Sequence, residues 1–144
     1  MLAIMTHVDF YILADDQPRE RERLACRLAE KVYKLGHRLY IHTTGPAHTQ
    51  LLDELLWTFR AGSFVPHALD AGEAAPVHIG HDSDNPVPAD VLINLGAEVP
   101  LFFSQYERVA EIVDQDPAVR QAGRSRYRFY RDRGYTLKTH KIRG

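Results

Sequence analysis

The sequence predicts one α/β domain, a mostly parallel β-sheet with helices on both faces. Three observations carry this. The chain has 144 residues, the size of one ordinary domain, and about 68–70% of the unfolded surface can be buried at this length. Its first half alternates β-rich and helix-patterned segments at the spacing of parallel strands joined by right-handed crossovers. Its clearest strands are nearly continuous apolar runs, as expected of strands covered on both faces.

The first such run is HVDFYIL, His7 to Leu13. Asp15-Asp16-Gln17-Pro18 then reads as a helix start, with acids at the positive dipole end. That helix is expected to reach about Leu35, with Leu24, Leu28, Val32 and Leu35 as its apolar stripe and Gly36 as its stop. RLYIH, Arg38 to His42, is a second strand. Thr44-Gly45-Pro46 opens a second helix, ending near Trp57. Ser63 to Pro66 reads as a short extended piece, and Val77 to Ile79 as a strand. His81 to Pro88 is a polar, proline-containing loop. DVLINL, Asp90 to Leu95, is a buried strand. Leu101 to Tyr106 fits a short helix, and RVAEIV, Arg108 to Val113, a strand. Asp116 as N-cap and Pro117 at N1 open a last helix, and Gly134 stops it. Tyr135 to Gly144 reads as a basic tail with at most one short extended segment. No repeat, low-complexity tract or linker divides the chain. One domain is expected over residues 1–144, with Met5 as the usual start and residues 1–4 a short extension.

The last helix is the most informative surface. At 100° per residue, Arg120, Arg124, Tyr127 and Arg131 share one narrow stripe, with Arg128 beside them. Val119, Ala122, Arg126, Phe129, Tyr130 and Arg133 lie on the other side. One face can pack while the other shows guanidinium groups around an aromatic ring, a receptor for something acidic with an apolar end. Charge is segregated to match. Between Ser63 and Val119 ten acids face Arg108 alone, whereas from Arg120 onward nine Lys or Arg face only Asp132. The net charge is −1, which argues against a nucleic-acid binder held by bulk charge and favours a local docking site.

Other chemistry is missing. The first strand–helix turn, Leu13 to Pro18, has no glycine and carries two acids where a phosphate would need open N–H groups, so nucleotide cofactors are not expected. Asp15 and Asp16 could hold Mg²⁺, but helix capping explains them more simply. His78-x-x-His81 has no evident third ligand for zinc. Cys26, the only cysteine, reads as a small core residue. Ser63, Ser83 and Ser104 lack nucleophile-elbow glycines. No catalytic constellation, cofactor or metal is expected. No apolar run approaches membrane length, and the N-terminus lacks the charged region of a signal peptide, so the protein is expected in the cytoplasm. One dense aromatic stretch remains, Leu51 to His67, with the only tryptophan, Trp57. Trp57, Phe59 and Phe64 fit either a core edge or an interface hot spot.

VDFYIL (8–13), LACRLAEK (24–31) followed by Gly36-His37-Arg38, LDELLWTFRAGSFVPH (52–67) and RSRYRFYRDRGY (124–135) together resemble the chi subunit of bacterial DNA polymerase III over nearly the whole chain. The resemblance implies a Rossmann-like domain without catalytic activity, belonging to the clamp-loader assembly of DNA replication. It implies pairing with the psi subunit, and through psi with the clamp loader. It further implies binding of the acidic, Phe-terminated tail of single-stranded DNA-binding protein, and with it indirect contact with nucleic acid. Carried over by motif position, Trp57, Phe64 and Pro66 would face psi, and Arg120, Arg124, Tyr127 and Arg128 would form the tail pocket. A helicase would be a competitor for the psi-facing patch. Two readings outside the resemblance stay open. One is direct binding of single-stranded nucleic acid through the last helix and the tail cations Lys138, His140, Lys141 and Arg143. The other is a nucleotide-metabolising enzyme using Asp15 and Asp16 with Mg²⁺.

Overall fold

A computed structural model describes residues 5–69, 72–81 and 87–142. The expected extension at residues 1–4, residues 82–86 of the polar loop, and Arg143 lie outside the described residues. The elements follow the order β1 (His7–Leu13), α1 (Glu20–Lys34), β2 (Leu39–His42), α2 (Pro46–Thr58), β3 (His67–Ala68), β4 (Val77–Gly80), β5 (Val91–Asn94), β6 (Arg108–Val113), α3 (Pro117–Asp132) and β7 (Thr136–Ile142), with a 3₁₀ turn at Phe103–Gln105 before β6. The strands form one sheet in the order β3-β4-β2-β5-β6-β1-β7, and every pairing is parallel.

Strand alternation divides the core in two. On one face α1 and α2 bury Leu24, Ala25, Ala29, Leu52 and Leu56 against Leu39, Ile41, Val77, Ile79 and Ile93. Full burial of a leucine such as Leu52 or Leu56 contributes about 1.5–3 kcal/mol. On the other face α3 and the 99–106 segment cover Val8, Phe10, Leu92, Val109 and Val113 with a largely aromatic layer that includes Phe102, Phe103, Tyr106 and Tyr130. Helices therefore lie on both faces, as the alternating pattern requires.

Three local expectations are corrected. Asp15 and Asp16 do not cap α1. The helix starts at Glu20 after Arg19 in the left-handed region (φ 66°), without a side-chain cap. Asp15 Oδ1 instead accepts the Gln17 N–H at 3.2 Å. Tertiary contacts anchor the first turn, as Arg21 donates to the carbonyls of Ile112 (3.1 Å) and Leu95 (3.4 Å). The extended piece expected at Ser63 to Pro66 is loop around the fully buried Val65, and the strand falls at His67–Ala68. The basic tail is an edge strand, paired with β1 from His7↔Thr136 to Leu13↔Ile142. Its solvent-facing positions are polar, so its sequence carried little apolar alternation. The last helix matches its signals. Asp116 accepts from the N–H groups of Ala118 and Val119, and Gly134 follows at φ 81°.

Candidate functional site

A cavity of about 240 Å³ opens between α3 and the β1–β7 edge of the sheet. Phe10, Ile12 and Val113 make its apolar floor, and Arg120, Arg124 and Tyr127 stand along its helical wall. Its depth depends on Gly123. A Cβ at that position would lie 2.7 Å from Val113 Cγ2, so only glycine lets the helix approach the strand this closely. Glycine inside a helix costs about 1 kcal/mol relative to alanine, and here the cost is offset by close helix–strand packing. The Tyr127 and Phe10 rings pack in a T-shaped pair, centroids 5.2 Å apart, which holds Tyr127 against the cavity floor. Among the described residues no carboxylate pairs with Arg120, Arg124 or Arg128, whereas Arg131 is held by Asp132 at 3.2 Å. Arg120, Arg124 and Tyr127 thus come together, while Arg128 is exposed outside the lining.

α3 is fixed to the sheet by a buried polar cluster that the helical wheel could not supply. Glu111 on β6 is fully buried and accepts from Arg126 Nε (2.8 Å), the Tyr130 hydroxyl (2.6 Å) and the Asn94 amide (3.0 Å). Arg126 also donates to the Ala97 carbonyl at 2.9 Å. Burial, then the Glu111 charge, pushes the Tyr130 hydroxyl pKa up, so it stays a donor to the carboxylate. These contacts set the rotation of α3 and aim the arginine stripe at the cavity.

The aromatic stretch lies toward the opposite sheet edge. Trp57 ends α2 and is 50% exposed, and Phe64 on the following loop is 63% exposed. Their ring centroids are 5.6 Å apart, and Trp57 also leans on the His67 ring at 4.5 Å. Pro66 beside them is half-buried, as is Phe59, which packs on the core. Beneath the loop, Glu30 of α1 accepts from Arg60 and Ser63. Asp53 Oδ1 lies 2.9 Å from His67 Nε2. The patch is exposed and aromatic, and it is held from below.

The residues weighed for catalysis are placed differently. Asp15 and Asp16 are exposed. Cys26 is fully buried, and burial pushes its thiol up to about 12, so it remains protonated. His78 Nε2 lies 2.7 Å from the Glu73 carbonyl, and His81 Nδ1 3.0 Å from the Thr49 hydroxyl. Among the described residues no group of three or more His, Cys, Asp or Glu could hold a metal ion. Among the described residues no helix is long and apolar enough to cross a membrane.

Phe10, Ile12, Val113, Gln115, Gly123 and Thr139 also line the cavity and do not follow from the helical wheel. Gly123 was the one readable signal, a glycine in the middle of a well-capped helix.

Comparison with known proteins bears on this geometry. The family described as "DNA polymerase III chi subunit, HolC" matches residues 5–138. A DNA polymerase III subunit chi from Pseudomonas aeruginosa is 44% identical over 139 residues, covering 96% of this chain and 98% of the relative. Those of Haemophilus influenzae and Escherichia coli are each 33% identical, covering 92% and 94% of this chain and 95% and 97% of theirs. Among solved structures, a chain in the crystal structure of T4 UvsW superposes with a TM-score of 0.68 at 9% identity, covering 96% of this chain and 42% of that one. That likeness concerns the fold alone.

Proposed function

The chain belongs to the DNA polymerase III chi subunit family, an accessory component of a polymerase complex in DNA replication, and from that premise we propose that it acts as a non-catalytic bridge. One end takes the acidic, Phe-terminated tail of single-stranded DNA-binding protein in the cavity on α3. The other docks psi, and through psi the clamp loader, on the Trp57–Phe64–Pro66 patch.

The observation that carries this reading is the cavity itself. It combines an apolar floor for a ring with two arginines unpaired among the described residues and a tyrosine on its rim. Arginine–carboxylate pairs supply charge-assisted, planar hydrogen bonds. Tyr127 and the arginine stems supply an apolar wall. Arg128 stands on the next exposed position of the helix and contributes long-range attraction to the tail. Docking of so short a peptide is expected near micromolar, roughly −8 kcal/mol. The exposed Trp57–Phe64 pair has the composition of an interface hot spot, and a helicase that used the same patch would compete with psi.

The test is co-purification with psi followed by calorimetric titration with the tail peptide. The ternary complex should form, and Arg124→Ala should weaken only the peptide. Unchanged peptide affinity in that variant would remove the cavity from the reading. Direct single-stranded nucleic-acid binding is less well supported. β7 turns Lys138 and His140 to the sheet face opposite α3 and Lys141 to the α3 face, so the tail cations are split between two surfaces and only part of them can act with the helix. Fluorescence anisotropy with an oligonucleotide alone separates the two readings, since tight binding at physiological salt would favour the second.

A further inference from the structure

The same two strands that floor the α3 cavity carry a different groove on their other face. Phe10, Ile12 and Thr139 point toward α3, whereas Asp9, Tyr11, Lys138 and His140 point the other way. There, beside α1, lies a cleft of about 350 Å³. Its apolar wall is Leu28, Val32 and Leu35 of α1 with Val91 and Ile93 of the sheet. Leu35 is 64% exposed.

The rim of this cleft is cationic. Lys31, Arg108 and Lys138 line it, with His37 and His140. The groove continues over the start of β1 and β7, where His7, Arg108 and Lys138 line a further hollow. The one carboxylate in either lining is Asp9, already spanned by Arg108 (3.2 Å) and His140 (2.9 Å). Outside it, Asp90 lies 3.8 Å from His37. His140 stacks on Tyr11, centroids 4.8 Å apart, and so is held in place. Lys31 and Lys138 are exposed and have no carboxylate partner among the described residues.

We infer that this groove is a second, separate docking site, for an extended acidic peptide segment carrying one apolar side chain. The charge complementarity selects the acid, and the α1 wall selects the apolar residue. A phosphodiester strand matches less well. It offers nothing aliphatic to Leu28, Val32 and Val91, and it would bring phosphates onto Asp9. β7 at the sheet edge also leaves main-chain groups beside the groove, to which an extended segment can add.

The experiment uses the full chain carrying Arg124→Glu, which disables the α3 cavity. The probes are fluorescein-labelled decapeptides of aspartate with a central leucine, the same peptide with a central serine, and a ten-residue oligothymidylate. The leucine peptide should still bind at low salt, and Lys31→Glu with Lys138→Glu should lower that affinity at least tenfold. The milder Lys31→Gln with Lys138→Gln should lower it several-fold, guarding against a folding artefact. In the unsubstituted chain, amide NMR shifts induced by the leucine peptide should include a cluster at Tyr11, Val32, Ile93 and His140. Any of three results would overturn the inference: loss of binding with Arg124→Glu alone, equal binding of leucine and serine peptides, or tighter binding of oligothymidylate.

Discussion

The α3 cavity and the Trp57–Phe64 patch sit toward opposite edges of one sheet and are built on opposite plans. The cavity is concave and sets guanidinium groups over a floor of strand side chains. The patch is an exposed aromatic pair, and the guanidinium beside it, Arg60, is tied to Glu30. Its exposed aromatics are fixed by a polar latch underneath. A concave, cationic site suits the flexible end of a chain. An exposed, aromatic one suits a preformed surface that can close over it. One site should therefore feel salt and the other should not.

The largest test of this contrast strikes what orients the cavity. Glu111→Ala leaves Arg126 buried without its carboxylate, a change that typically costs 3–5 kcal/mol. Chemical denaturation should show that loss, and peptide affinity should fall further than psi affinity under folding conditions. An unchanged midpoint would mean that α3 is held by its apolar contacts alone. Next, Trp57→Ala should cost the psi complex about 2 kcal/mol or more and spare the tail peptide in calorimetry. Equal loss of both partners would point to a folding defect and erase the distinction between the sites.

Arg124→Ala should cost about 1–3 kcal/mol of peptide binding. Raising salt toward about 1 M, where the Debye length is ~3 Å, should weaken the peptide and leave psi bound. Gly123→Ala sets a helix-propensity gain of about 1 kcal/mol against overpacking on Val113 of about 1–3 kcal/mol. A net loss of about 1 kcal/mol in thermal melting is expected, with weaker peptide binding, and a more stable protein would refute the close approach.

The smallest effect concerns the latch. Arg60, then Ser63, hold the Glu30 carboxyl below its ordinary value of 4.5. A carboxyl depressed in the folded state stabilises it above the unfolded pKa, and that contribution is lost as pH falls through the folded value. Trp57, the only tryptophan, reports on the loop. Its fluorescence should shift on acidification below about pH 4.5, and Glu30→Gln should abolish the transition.

Period and caps were enough to place Arg120, Arg124 and Tyr127 on one face of a helix with correct ends, because both are local properties. The Glu111–Arg126 pair was not readable, since it joins residues on different elements and the wheel, which put Arg126 on the packing side, cannot name its partner. The same reason hid Thr139. An edge strand needs few apolar residues, so TLKTHKI resembled a tail until its pairing with β1 was known. At the start of α1 the sequence offered an ordinary acidic cap, but tertiary anchoring through Arg21 decided the boundary. Arg128 shows the limit of the wheel itself, which gives a direction from the axis and not the edge of a cavity.

β7 pairs with β1 across a long stretch of chain, and His140 meets Asp9 over 131 residues. Loops of that length close late, and domains so tied fold slowly. At about 5–20 residues per second, synthesis of the whole chain takes roughly 7–30 s. Through most of that time the outer edge of β1 has no neighbour. The α3 cavity and the basic groove are both finished only when β7 docks, so they are the last parts of the molecule to exist. A nascent or truncated chain can present the aromatic patch before either the cavity or the groove is formed. Binding of an acidic peptide would then serve as a check that the chain is whole.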